Sequence, residues 1–197
     1  MKYDGLTVKA WAGTSAWRAW RADLGKYRMY GYSGWGSEGF WMLTLYRLQR
    51  TLLQARPRWL WLLPRMVVAV IRKFATMVTH ISLPPGASIG PGLLIPHVGP
   101  IQLNAGTVIG VDCTLMHVVT IGAGARPGSP MLGDHVFVGC HSCILGGVTV
   151  GDFANVGAGA VVIRDVPPNH SAMGVPARSI PKARPDDPAE MAREINS

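Results

Sequence analysis

The sequence predicts a mainly β protein: a β-helix built from hexapeptide repeats, preceded by a small α-helical region. Two observations carry this. The first is a period. From Leu83 an aliphatic residue recurs every six positions through Ile89, Ile95 and Ile101. It recurs again through Ile109, Leu115 and Ile121, and from Leu132 through Val138, Ile144, Val150, Val156 and Val162. An eight-residue step separates Ile101 from Ile109, and an eleven-residue step separates Ile121 from Leu132. The second observation is a change of composition. All seven tryptophans precede residue 62, whereas most glycines and valines follow residue 85.

A period of six fits neither an α-helix nor an alternating sandwich strand; it is the mark of a β-helix. Each hexapeptide gives one short flat side and one turn. The aliphatic side chain points into a narrow prism. The fourth residue after it is usually small (Ala87, Gly99, Ala105, Cys113, Ser142, Ala154, Ala160) and fills the space alongside. Glycine often follows the aliphatic, at 90, 110, 122, 133, 139, 151 and 157, where it is expected to serve the turn dihedrals. Three hexapeptides close one coil, and coils stack at the interstrand spacing of ~4.8 Å.

Charge divides the chain at the same place. Residues 1–80 hold 13 Lys/Arg against Asp4, Asp23 and Glu38, a balance of +10. Residues 81–197 hold 6 Lys/Arg against 8 Asp/Glu, a balance of −2. We therefore expect a helical region over 1–80, the β-helix over 81–182 and a polar tail over 183–197. A hydrophobic content of 48% with 15% charged residues excludes a disordered or fibrous chain. Three cysteines without a secretory signal point to the reducing cytoplasm and to no disulfide framework.

Within the first region, Pro64, Arg65, Arg72 and Lys73 interrupt the apolar stretch 58–81, which excludes a membrane span. From Met66 the stretch reads as an amphipathic helix, with Met66, Val67, Val70, Ile71, Phe74, Met77 and Val78 on one stripe. That stripe is expected to pack on an oligomer partner or on the preceding helices. The alternative reading is peripheral attachment to the inner face of an anionic membrane. No nucleic-acid recognition motif accompanies the basic charge, so no nucleic-acid partner is expected.

The register also gathers residues that carry chemistry. His97 follows Ile95 by two positions, His117 follows Leu115 by two, Cys140 follows Val138 by two, and Ala158 follows Val156 by two. These four form one ladder up a single prism edge. A histidine below small side chains makes a narrow groove suited to a long thin ligand.

The chain resembles the hexapeptide acyltransferases, and within them the serine acetyltransferase-like branch. The resemblance rests on "IGPGLLIPHVGPIQLNAGTVIG", "LMHVVTIGAG", "MLGDHVFVGCHSCILGGVTVGDFANVGAGAVVIRDVPPN", "AMGVPARSI" and, upstream, "EGFWMLTLYRLQRTL". It covers roughly residues 17–182. It implies a left-handed parallel β-helix, a homotrimer, and acetyl-CoA as co-substrate in a cleft between subunits. It also implies His97 as the general base that takes a proton from an acceptor hydroxyl. The pantetheine arm would pass Gly122, Ala123, Gly139, Cys140 and Ala158, with the Gly122 backbone near the oxyanion. Arg164, Arg178, Lys182 and Arg184 are available to the nucleotide phosphates.

Three departures from the branch shape the acceptor reading. Pro96 replaces an acidic residue before the base, "GSP" at 128–130 replaces an Arg-His-Pro, and Asp23 lacks its Arg-Asp-Pro context. Those groups would grip a zwitterionic amino acid. The resulting expectation is an O-acetyltransferase acting on a sugar or polysaccharide precursor, similar to exopolysaccharide and capsule acetyltransferases. The alternatives are a serine O-acetyltransferase of cysteine biosynthesis and a non-catalytic scaffold. His117 and Asp23 are read as acceptor-site or tuning residues. His135, His141 and His170 are read as surface residues. Cys140 and Cys143 should face different ways, with only His117 nearby, so no metal is expected.

Overall fold

The structure is a computed structural model that describes residues 14–182. Helices α1 (Ala16–Met29), α2 (Glu38–Gln54) and α3 (Leu62–Thr79) come first. A parallel β-solenoid of about 5 turns follows. Helix α1 starts where Ser15 accepts a hydrogen bond from the Arg18 N–H at 3.3 Å, an N-cap that satisfies one free donor. Residues 183–197, the expected polar tail with Arg184, lie outside the described residues.

The solenoid has three faces. The first stacks β1 (Ile81–Ser82), β3 (Ile101–Leu103), β6 (Val119–Gly122), β9 (Cys143–Leu145) and β12 (Val161–Val162). The second stacks β2 (Ser88–Ile89), β4 (Val108–Ile109), β7 (Met131–Leu132) and β10 (Thr149–Val150). The third stacks β5 (Thr114–Leu115), β8 (Phe137–Val138), β11 (Asn155–Val156) and β13 (His170–Met173). Strand β14 (Arg178–Pro181) pairs antiparallel with β13 and closes that face. The expected aliphatic column is the core: Ile89, Ile109, Leu132 and Val150 stack on the second face, and Leu115, Val138 and Val156 on the third, all buried.

The first face corrects the expected register. Leu103 pairs with Ile121, Ile121 with Ile144, and Ile144 with Val162. The eight-residue step therefore lies between Ile95 and Leu103, not between Ile101 and Ile109. The physical reason is that the lower strands of this face turn two residues inward. Ile101 and Leu103 are both buried, as are Val119 and Ile121. Thr107, four residues after Leu103, takes the small interior position, while Ala105 is exposed. The two extra residues enlarge the corner 96–100, which holds His97.

Gly90, Gly110, Gly139 and Gly151, which follow the aliphatics, serve close approach rather than the turn dihedral, whereas a Cβ on Gly122 would meet nothing within 4 Å. A Cβ on Gly139 would lie 2.7 Å from the Ala158 nitrogen of the next coil, a distance real side chains do not occupy. The left-handed dihedral falls two residues later, at Gly92, Asp112, Val118, His135, His141, Phe153 and Gly159.

Helices α1 and α2 dock on the lowest coils through polar groups that are all engaged. Arg47 pairs with Asp23, with Nε to Oδ2 at 3.0 Å and Nη2 to Oδ1 at 3.1 Å. Its remaining donors reach the Ile89 and Gly90 carbonyls, both at 2.7 Å. Asp23 Oδ1 also accepts from the N–H groups of Gly92 at 2.8 Å and Leu93 at 3.2 Å. Gly39 lets α2 come this near: a Cβ there would lie 2.8 Å from the Tyr27 hydroxyl and from the Ile95 Cβ. Gly39, Phe40, Tyr46 and Arg47 of the upstream segment are thus docking residues, with Phe40 and Tyr46 fully buried.

Helix α3 does not pack its apolar stripe on the preceding helices. It turns Val68 and Arg72 toward α2, where Arg72 donates to Gln49. Met66, Val67, Val70, Ile71, Phe74, Met77 and Val78 all face outward in the single chain. No described helix is long and apolar enough to cross a membrane.

Candidate functional site

The corner between the third and first faces carries the histidines. His97 is exposed, and its ring stands edge-on to His117 at 5.9 Å between centroids. His117 in turn stands edge-on to His141 at 5.8 Å. Tyr32 meets the other side of His97 at 6.4 Å and packs on Tyr27. The expected ladder of His97, His117, Cys140 and Ala158 is therefore a column of rings that Tyr32 begins and His141 extends. Coil stacking builds it. The His141 N–H donates to the His117 carbonyl at 3.2 Å, and the Gly159 N–H to the Cys140 carbonyl at 2.8 Å.

The base of the column is held from the helical side. The Tyr27 hydroxyl donates to the Ile95 carbonyl and accepts from the Ile95 N–H, each at 3.0 Å, two residues before His97. Burial pushes the Tyr27 hydroxyl well above the ordinary phenol range, so it stays protonated and can serve both roles. Lys26 donates to the Cys113 carbonyl at 2.9 Å and to the Asp112 carbonyl, and burial lowers its affinity for a proton. Burial likewise pushes the Cys113 thiol up to about 12, which makes it an interior filler and not a nucleophile.

Asp23 is not an acceptor-site group in this chain. It is 0% exposed and bound on every side by Arg47 and the Gly92–Leu93 backbone. Burial raises its carboxyl above the ordinary range, with Arg47 opposing that rise. The reading of Asp23 as a tuning residue is corrected to a docking role.

The remaining expected binding residues divide between corners. Gly139, Cys140 and Ala158 line the corner that carries His97. Gly122 ends β6, and Ala123 begins the long loop to β7, so both lie at the corner between the first and second faces. Arg164 follows β12 at that same corner and is exposed. Loop 123–130 lies down on the coil above it, where Gly147 donates to the Arg126 carbonyl at 3.0 Å and Arg126 pairs with Asp165 at 2.9 Å. Arg178 is exposed on β14, and Lys182 donates to the Phe153 carbonyl at 2.5 Å. One chain does not bring these groups into a single groove with His97.

The expectation that only His117 stands near Cys140 is also corrected. Donor atoms of His117, Cys140 and His141 all lie within 4.8 Å of one another. Cys143 lies in β9 on the first face, turned away as expected. Sequence spacing missed His141 because it sits one residue outside the ladder slot; its left-handed φ of 59° brings it back over His117. Tyr32 carries no repeat signal at all.

A parallel hexapeptide solenoid with an imidazole exposed on one corner, under a small helical cap, fits the class of hexapeptide-repeat acetyltransferases. Comparison with known proteins narrows this. No family model matches the chain. It is 39% identical over 121 residues to a serine acetyltransferase of Helicobacter pylori, covering 60% of this chain and 71% of that protein. It is 33% identical over 164 residues to the serine acetyltransferase of Escherichia coli, covering 81% of this chain. The chain spans 57% of that protein's length. Soybean serine acetyltransferase complexed with serine superposes with a TM-score of 0.73 at 32% identity, over 84% of this chain and 70% of that one. The chain belongs to the serine acetyltransferase family.

These relatives overturn the sugar or polysaccharide acceptor expected from the sequence. The expectation rested on three short motif departures, and the likeness over 164 residues to the Escherichia coli enzyme and over 84% of this chain to the soybean one outweighs them.

Proposed function

We propose that the chain is an acetyl-CoA-dependent serine O-acetyltransferase, the first of the alternatives weighed above, with His97 as general base. The observation that carries this reading is the conjunction of family membership with an exposed imidazole on a groove-forming corner. In the reaction, neutral His97 accepts the proton of the serine hydroxyl as that oxygen attacks the thioester carbonyl of acetyl-CoA. The tetrahedral intermediate collapses with cleavage of the C–S bond. The CoA sulfur leaves with the proton that His97 holds, and O-acetylserine remains. Backbone N–H groups near Gly122 are the proposed oxyanion donors.

The division of the binding residues between two corners supports a homotrimer with its sites between subunits. Gly122, Ala123 and Arg164 of one copy would then face His97, Cys140 and Ala158 of another. The exposed apolar stripe of α3 supports the same reading, since contiguous apolar surface of this kind marks an interface.

The test is CoA release from acetyl-CoA with L-serine, alongside light scattering for the oligomer. We expect turnover with serine that falls by roughly 10²–10⁴-fold in His97→Ala, the usual weight of a general base. Undiminished turnover in His97→Ala would refute the base assignment. Absence of turnover with serine by the wild-type trimer would refute the acceptor.

A further inference from the structure

We infer that His117, Cys140 and His141 form a binding site for a thiophilic divalent transition metal, Zn²⁺ in the first instance. The inference needs only these three side chains and stands apart from the acyl-transfer reading. Their donor atoms lie within 4.8 Å of one another, close enough for side-chain rotation to bring them to the roughly 3.3–3.6 Å edges of a tetrahedral zinc shell. An independent observation points the same way. Nδ1 of His117 is buried and has no hydrogen-bond partner. A buried polar atom without a partner is costly, and a metal ion would satisfy it.

The donor set decides the class of ion. Two imidazoles and one thiolate suit Zn²⁺ or Co²⁺ and not Mg²⁺ or Ca²⁺, which require oxygen ligands. Cys140 is a free thiol, so binding transfers its proton to solvent as the sulfur coordinates. His141 is exposed in the single chain, which gives the ion a way in. Three protein ligands would leave a fourth position for water.

The scaffold holds the donors in place. His117 stands on one coil and Cys140 and His141 on the next, and the Leu115–Val138 pairing of β5 with β8 locks those coils together. The His141 N–H to His117 carbonyl bond closes the same gap from the corner side. Only side-chain adjustment is left when the ion arrives.

Titrating the reduced full chain with Co²⁺ tests the inference, because a cobalt–thiolate bond gives its own near-ultraviolet charge-transfer band. We expect one Co²⁺ per chain, a thiolate band, and displacement by Zn²⁺. Cys140→Ser should lose the band. His141→Ala, at an exposed position where misfolding is not at issue, should bind Co²⁺ more weakly by at least the roughly 10-fold that even an outer-shell partner is worth. His135→Ala, an exposed histidine on a different corner, should bind as wild type. Absence of the band in wild type would overturn the inference, as would wild-type affinity in His141→Ala. Equal weakening in His135→Ala would also overturn it, by showing adventitious binding to surface imidazoles.

Discussion

The junction between the helices and the lowest coils, and the corner that carries the imidazoles, treat buried polar atoms in opposite ways. At the junction, Asp23, Arg47 and Tyr27 each meet partners on both sides. At the corner, only a few residues away in space from Ile95, His117 Nδ1 has none. The junction is built to hold one geometry. The corner keeps donors and acceptors free, which costs stability and leaves them open to a ligand.

The comparison breaks first at the junction. Arg47→Met would leave the Asp23 carboxylate buried with only two backbone donors and strand the Ile89 and Gly90 carbonyls. Removing one partner of a buried ion pair costs about 3–5 kcal/mol, and urea denaturation should show a loss of this size. A loss under about 1 kcal/mol, the value of an exposed pair such as Arg126–Asp165, would mean that the junction is not the rigid element described.

Tyr27→Phe probes the link between the two regions. It keeps the ring but leaves the Ile95 N–H and carbonyl unpaired, at a cost of roughly 1–3 kcal/mol. Because Ile95 leads directly into the His97 loop, turnover should fall more than folding at assay temperature explains. Stability lost with kcat unchanged would separate the junction from the site.

At the corner itself, Val118 holds a left-handed φ of 56°, which is strained for a β-branched residue. Val118→Asn should raise stability by about 1 kcal/mol, since asparagine tolerates this conformation. A decrease would show that the Val118 side chain is held by packing that outweighs its strain.

How much of this was legible beforehand depends on whether a feature obeys the repeat. The solenoid was readable because its interior admits one aliphatic side chain per hexapeptide. The His97–His117–Cys140 ladder was readable even though the eight-residue step was misplaced. Both placements of that step put Leu115 twenty positions after Ile95, so the slots two beyond them coincide. The features outside the repeat were not readable. Tyr32 reaches His97 from the helical region, and Asp23 finds Arg47 across 24 residues. The acceptor was not readable either: the expectation weighed three short departures, whereas the likeness to serine acetyltransferases runs over 164 residues.

The smallest expected effect is the most telling for the comparison. In metal-free protein with a chelator present, His117→Leu should change unfolding free energy by less than about 1 kcal/mol, in favour of the variant. Leucine loses the edge-on contacts to His97 and His141, which lie at the exposed corner and contribute little. It also removes a buried nitrogen that has no partner, which offsets that loss. The same replacement at the junction could not be neutral, because every atom removed there would strand another. A large loss in His117→Leu would mean that the column of rings is itself structural. A neutral outcome would place its histidines, unlike Asp23 and Arg47, outside the set of residues that the fold needs.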